Sequence, residues 1–363
     1  MKLKEDFHYV ENRTLTGNRL IIGLKNSSSY TLIPNDYKDS FYMLLKKIDN
    51  GKEEKSVSDK ERELLEILQQ KGYLEGYGQA RESFNEYNAL VKVFWRKSFT
   101  EDSTICQHKK IFYVIYAILC ILCVIVFIRN IQYINMGLDI RTFSFTELLI
   151  CLTIVPFMVD LIHELGHYII AKILRLGVKD FSIGFFVTWP VIYFRYRGLN
   201  LQSMADKLCV LSGGVLAHAC GVMLGELLGQ TGVDSNIITV WIVANISMII
   251  TNLLPGLPGD GYFILSNILG IYNLRYKGYK ELFNLMNQRK LWTSRENIFA
   301  YLMVFLWINS FLGLFMTGDY YSTLFGIDRE KIQVVIYLLL GVLIIRFIFR
   351  LFKMKKKFEL SGQ

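Results

Sequence analysis

The chain has 363 residues, 52% of them hydrophobic, and a formal net charge of +9 at neutral pH. It contains long uncharged runs such as residues 111–128, and about 20 apolar residues suffice to cross the hydrocarbon core of a bilayer. These runs exclude an ordinary soluble protein and predict a polytopic α-helical membrane protein embedded in the lipid bilayer. Because the positive charge clusters beside the apolar runs, as the positive-inside rule requires, we expect no nucleic-acid partner.

The first part of the chain, residues 1–90, is charged throughout and predicts a small cytoplasmic α/β domain. Segments of alternating polarity at residues 19–24 and 30–33 predict short strands. Two amphipathic segments follow, and Ser58 is placed to cap the second of them as a helix. Strands, two helices and then an apolar strand predicted to start near Tyr73 resemble a winged-helix order. Residues 91–109 then predict a linker helix that leads to the membrane.

The rest of the chain predicts six membrane spans. They lie near residues 110–128, 146–174, 207–228, 236–254, 298–317 and 332–352. Lysine and arginine are concentrated before the first span, after the second and the fourth, and in the C-terminal tail. The positive-inside rule assigns those segments to the cytoplasm, so we expect a multi-pass cell-membrane protein with both termini cytoplasmic. We divide this portion into a core over residues 110–270 and a loop with two further spans over residues 271–363.

One segment between the spans, residues 181–197, is rich in aromatic residues and is interrupted by Pro190. It predicts a hairpin or a re-entrant strand pair. Irregular backbone of this kind is tolerated at membrane depth only where it packs on protein or faces water. Residues 255–261, PGLPGDG, predict a broken turn at the end of the fourth span.

The pentapeptide His163-Glu164-Leu165-Gly166-His167 lies inside the second predicted span and has the pattern of a metal site. Residues four positions apart on a helix are about 40° apart around its axis, so both imidazoles can bind one ion. Glu164 points near the same face, and its carboxylate can pass a proton from a zinc-bound water to a leaving amine. The motif predicts two zinc ligands and a catalytic carboxylate.

Ionisable groups are costly in such an apolar run, since one charged side chain at the bilayer centre costs about 2.5–3.5 kcal/mol. A metal ion in a water-filled cavity would offset that cost for Asp160 and its three ionisable neighbours. A catalytic zinc also needs a third protein ligand and an open fourth position. Asp260, in the turn after the fourth span, is our candidate. The alternative is an ordinary loop aspartate that caps the next helix.

Together these motifs resemble the site-two protease family of intramembrane zinc metalloproteases. That family pairs a His-Glu-x-x-His helix with a distant Asn-Pro and Asp-Gly segment, which corresponds to residues 252–255 and 260–261. The resemblance covers about residues 145–270. It implies a zinc metalloendopeptidase that acts at or within the membrane, with His163, His167 and Asp260 as ligands and Glu164 as the catalytic residue.

The chain departs from the family's pattern in the third span. The family has Pro and Asn there, where this sequence has Val215 and His218 within SGGVLAHACG. A buried histidine so near a zinc site could assist the oxyanion, bind substrate or pack through hydrogen bonds. Asn252 of the second motif is a further candidate for contact with the substrate or the oxyanion.

The N-terminal domain resembles the small winged-helix domains that bind leader peptides in modified-peptide pathways. Joined to a membrane metalloprotease, it implies maturation of a membrane-associated or secreted peptide precursor, with an export transporter as a further partner. A generic cytosolic domain that gates the site is the alternative. Two other functions stay open: regulated cleavage of a membrane-anchored signalling protein, and a non-catalytic peptide receptor or immunity protein that retains the fold.

Overall fold

The computed structural model describes the N-terminal domain and the first four predicted spans. Its described segments are residues 2–27, 30–50, 57–78, 91–100, 109–135, 142–186, 189–232, 235–255 and 259–271, with single positions at 274, 334, 338, 341 and 345. These residues are mostly helical and include two three-stranded sheets. Apart from those single positions, the predicted spans near residues 298–317 and 332–352 lie outside the described residues.

The N-terminal domain is a three-stranded antiparallel sheet packed against two helices. Its elements are β1 (Phe7–Thr14), β2 (Gly17–Leu24), β3 (Tyr30–Ile33), α1 (Lys38–Asp49) and α2 (Asp59–Gln70). Their shared core includes the buried side chains of Leu20 from the sheet, Phe41 from α1 and Leu64 from α2. Ser58 caps α2 as predicted, accepting a hydrogen bond from the backbone N–H of Glu61 at 3.4 Å. The winged-helix comparison stays a prediction.

Among the described residues, four helices are long and apolar enough to cross a membrane, and they match the first four predicted spans to within a few residues. They are α3 (Lys109–Asn130), α4 (Phe145–Ile173), α5 (Met204–Gly229) and α6 (Ser235–Leu253). A short helix, α7 (Asp260–Leu269), follows α6. In its most apolar stretch α5 is 56% buried, against 6% for α3, so α5 is the central helix of the described bundle.

A second antiparallel sheet accompanies these four apolar helices. Its strands, in spatial order, are β4 (Val91–Ser98), β5 (Val178–Phe186) and β6 (Trp189–Tyr196). The hairpin of β5 and β6 agrees with the strand pair predicted for residues 181–197. The linker helix predicted for residues 91–109 is wrong over β4. This segment, VKVFWRKS, is rich in β-branched and aromatic residues and pairs with β5 along its length.

Buried hydrogen bonds tie the first span to the central helix. The carboxylate of Asp206, at the start of α5, is fully buried and accepts hydrogen bonds from Lys109 Nζ and Tyr113 Oη of α3, each at 2.7 Å. One turn along α3, the Tyr116 hydroxyl donates to the backbone carbonyl of Cys209 at 2.7 Å. A buried carboxylate with such partners fixes the two helices in one register.

The N-terminal domain contacts the membrane portion through the turn between β1 and β2. The backbone N–H of Leu15 donates to the carbonyl of Ile268 at 3.0 Å, and the Thr16 hydroxyl donates to that of Leu269 at 2.6 Å. Both carbonyls belong to the last turn of α7, where a helix has no internal donors for them. Arg197, just after β6, donates to a carbonyl of the N-terminal domain at 2.9 Å. The domain therefore supports the end of α7 and the end of β6.

Candidate metal centre

The two histidines of the pentapeptide lie one turn apart on α4. His167 is buried, and its Nδ1 lies 2.7 Å from the backbone carbonyl of Val210 on α5. Because a carbonyl only accepts, the proton of a neutral His167 ring is on Nδ1, and Nε2 keeps its lone pair. The Nε2 atoms of His163 and His167 are 3.0 Å apart.

Asp260 joins the histidines from a distant part of the chain. It is the first residue of α7, and its Oδ2 lies 3.4 Å from His163 Nε2 and 3.3 Å from His167 Nε2. This oxygen is buried, and no described group forms a hydrogen bond with it. The structure thus brings the three predicted ligands together. Their binding of zinc stays a prediction.

The three facing atoms have the spacing of a small tetrahedral metal site. Zinc at about 2.0–2.1 Å from its ligands requires ligand atoms about 3.3–3.4 Å apart. The observed separations are 3.0, 3.3 and 3.4 Å. Electron-rich atoms held this close in a buried setting repel one another unless a proton or a metal cation lies among them. Two imidazole nitrogens and one carboxylate oxygen are also the donor set of many catalytic zinc sites, so the residues fit this ion.

Helix α5 makes room for both imidazoles at Gly214. A Cβ at this position would lie 2.3 Å from His163 Cε1 and 2.8 Å from His167 Nε2. Atoms in a packed interior do not approach that closely, so a larger residue would displace the rings. The glycine-rich segment of the third span thus allows α5 to pass directly against the ligand-bearing face of α4.

Glu164 is tied to the second sheet. Its Oε2 accepts a hydrogen bond from the backbone N–H of Phe194, in β6, at 3.1 Å. Strand β6 is an edge strand of its sheet, so one of its backbone donors faces α4. The bond holds the carboxylate between the strand edge and the helix turn that carries both imidazoles. A general base for hydrolysis requires such a position.

The remaining two candidates, His218 and Asn252, differ in their hydrogen-bond partners. His218 is fully buried on α5, with its Nε2 3.0 Å from His163 Nδ1 and its Nδ1 3.0 Å from Asn245 Oδ1 on α6. It therefore lies behind His163, on the side of the ring away from Asp260. Asn252 Nδ2 is a buried donor for which the described residues offer no acceptor.

Two residues of the site were not predicted from the sequence. Asn245 gave a signal, since it is an amide in the middle of an apolar span, where polar side chains mark functional positions. Val210 gave none, because it contributes only its backbone carbonyl.

Comparison of the chain with protein-family models, with curated proteins and with solved structures found no match. The resemblance to site-two proteases therefore stays a prediction from the two motifs.

Proposed function

We propose that this chain is an intramembrane zinc metalloprotease. The observation that carries the proposal is the 3.0–3.4 Å spacing of the facing atoms of His163, His167 and Asp260, with Glu164 on the same turn of α4. Many zinc hydrolases have three such ligands and, beside them, a carboxylate that does not bind the metal. The two histidines lie on α4 and pack against α5, and both helices have membrane length, which favours cleavage at or within the bilayer.

The protein's own part in the reaction is proton transfer and orientation. Zinc, when bound, supplies a Lewis acid that makes water nucleophilic near neutral pH. Glu164 takes the proton of the attacking water and gives it to the leaving amine. The Phe194 N–H keeps that carboxylate from turning away from the site. Asn252 Nδ2, a buried donor, is suited to hydrogen-bond the oxygen of the carbonyl under attack.

We place an extended substrate along the outer edge of β6, which no other strand of the described residues covers. Within the described sheet β5 lies between β4 and β6, so β6 is an edge strand, and the bond from its Phe194 N–H to Glu164 shows that this edge faces α4. Addition as a strand would satisfy the substrate's own backbone groups, which need partners within a membrane. A short peptide precursor, membrane-associated or secreted, is our substrate class, and the N-terminal domain would bind its leader.

We further propose six spans with both termini in the cytoplasm. The basic segments of the sequence support this orientation through the positive-inside rule. The site and the N-terminal domain then lie toward the same side, since the domain contacts the end of α7, which begins at Asp260.

Zinc content and peptide cleavage by the purified full chain in detergent test the proposal. We expect stoichiometric zinc and cleavage of peptide precursors, followed by mass spectrometry. Glu164→Gln should keep zinc and lose about 10²–10⁴-fold in rate, because only the proton carrier is removed. His163→Ala should lose both zinc and cleavage. Glu226→Gln, which neutralises a carboxylate of α5 paired with Arg129, should behave as the wild type.

Three results would change the assignment. Full activity of Glu164→Gln would overturn the mechanism. Zinc binding with cleavage of a membrane-anchored protein but of no precursor would replace maturation by signalling. Peptide binding by a chain that holds no zinc would leave a receptor or immunity protein in place of the enzyme.

A further inference from the structure

A chain of hydrogen bonds runs from His163 across α5 to α6. His163 Nδ1 lies 3.0 Å from His218 Nε2, and His218 Nδ1 lies 3.0 Å from Asn245 Oδ1. Asn245 Nδ2 then donates to the backbone carbonyl of Trp241 at 2.9 Å. His218 and Asn245 are both fully buried, at 0% exposure, so their polar atoms depend on these partners.

The last bond of the chain fixes the direction of all the others. The Trp241 carbonyl can only accept, so the amide of Asn245 must turn its NH₂ group toward it and its Oδ1 toward His218. His218 must then carry its proton on Nδ1. A neutral imidazole has one N–H, so His218 Nε2 is an acceptor, and His163 must carry its proton on Nδ1.

The same chain of hydrogen bonds determines that Nε2 of His163 is unprotonated. With its proton on Nδ1, His163 presents the lone pair of Nε2 to His167 and Asp260. His167 is set in the same tautomer by the Val210 carbonyl. Both imidazoles therefore direct a lone pair at one point.

We propose that His218 and Asn245 are positioning residues that commit His163 to metal binding by holding its Nδ1-protonated tautomer and the orientation of its ring. This inference rests on the proposed function, because it assigns a metal to that point. The partner of a metal-binding histidine is usually a carboxylate, a carbonyl or water. Here a second histidine takes that place, and an amide on a third helix fixes its tautomer.

The packing of α5 against α6 is adapted to this pair. A Cβ at Gly221 would lie 2.5 Å from Asn245 Oδ1, so only glycine leaves room for the amide. The Trp241 indole N–H donates to the Gly221 carbonyl at 2.7 Å, which fixes the two helices at the same level. The pair is therefore supported by its own local contacts.

The geometry also favours this role of His218 over the two alternatives of binding the substrate and assisting the oxyanion. Both ring nitrogens are engaged within the protein, and the side chain has no exposed surface. Contact with a substrate or an oxyanion would require it to abandon one of these bonds. Support of His163 requires no movement.

Two amide substitutions that differ only in length test the inference. The Gln side chain can place its carbonyl oxygen near the position of histidine Nε2, whereas Asn reaches only the position of Nδ1. We measure zinc affinity of the full chain in detergent by competition with a chelator, and the visible spectrum of the cobalt-loaded chain. Loss of such a partner weakens metal binding by about 10–100-fold. We expect that loss in His218→Asn and His218→Ala, and near wild-type affinity and spectrum in His218→Gln.

The outcomes separate this inference from the proposed function. A wild-type chain without zinc would overturn both. Zinc in the wild type with equal affinity in the three variants would overturn the positioning role alone, as would an equal loss in all three. If the variants do not fold, ¹⁵N spectra of the histidine-labelled wild type give the answer. His163 and His218 must both appear as Nδ1–H tautomers, and an Nε2–H tautomer at His218 would contradict the inference.

Discussion

Among single residues, Gly214 acts most directly on the positions of the two imidazoles. Gly214→Ala would place a methyl group 2.3 Å from His163 Cε1 and 2.5 Å from its Nδ1. The rings must move, so the ligand atoms lose their spacing and we expect zinc affinity to fall at least about tenfold, by analogy with disturbed outer partners of metal ligands. The measurement is chelator competition on the purified chain.

The matched control for that prediction is Gly229→Ala. It adds the same methyl group to the same helix, where the nearest neighbouring atom would be 3.8 Å away, on Ile238. Zinc affinity should stay at the wild-type level. Undiminished affinity in Gly214→Ala would mean that the rings can shift without cost, and the tight packing would then not define the site.

The residues of the centre differ in how far a sequence can reveal them. His163 and His167 could be predicted because helical spacing alone brings them together. Asp260 required a distant motif, and its approach depends on how α6 and α7 fold back on α4. The roles of Asn245 and Val210 depend on which helices are neighbours, and a backbone carbonyl leaves no trace in the sequence.

At the scale of elements, the crossing of α4 and α5 is the contact on which the site depends. A Cβ at Gly166 would lie 2.3 Å from the Gly213 carbonyl oxygen and 2.6 Å from Ala217 Cβ. The backbones touch there, as small residues allow between membrane helices. This contact keeps His167 within reach of the Val210 carbonyl.

Gly166→Ala should therefore separate the two helices. Overpacking of this kind costs about 1–3 kcal/mol, so we expect a lower free energy of unfolding in detergent together with weaker zinc binding. Gly229→Ala is again the control, since it adds the same methyl group at the end of α5, where the nearest neighbouring atom would be 3.8 Å away. Unchanged stability of Gly166→Ala would show that the helices are not in backbone contact.

Helices and strands could be predicted where their own sequence determines them, and not where a distant segment does. The four long apolar helices follow from the length and apolarity of their segments, and their bounds agree with the prediction within a few residues. Strand β4 was missed because its structure is decided by pairing with β5, which is distant in sequence. The adjoining Gly213 and Gly214 can be read in the sequence, but the sequence does not show that they pack against α4.

At the scale of the whole molecule, the N-terminal domain is in direct contact with the elements that carry the site. Its β1–β2 turn donates hydrogen bonds to the last carbonyls of α7, the helix that begins at Asp260. A helix of ten residues depends on its neighbours for stability. Docking of the domain should therefore keep Asp260 in place, and a peptide that displaced the turn would loosen it.

Gly270→Ala tests this coupling, with Gly232→Ala as its control. Both glycines have a left-handed backbone, with φ of 68° and 78°, so alanine costs about 1–2 kcal/mol of local strain at either position. Only at Gly270 would the new Cβ also meet Thr14, at 2.4 Å from its Oγ1, whereas it would meet nothing within 4 Å at Gly232. We expect faster hydrogen–deuterium exchange over Asp260–Leu269 and weaker zinc binding in Gly270→Ala alone. Equal behaviour of the two variants would show that strain, and not the docked domain, acts on α7, and the N-terminal domain would then have no part in holding the third ligand.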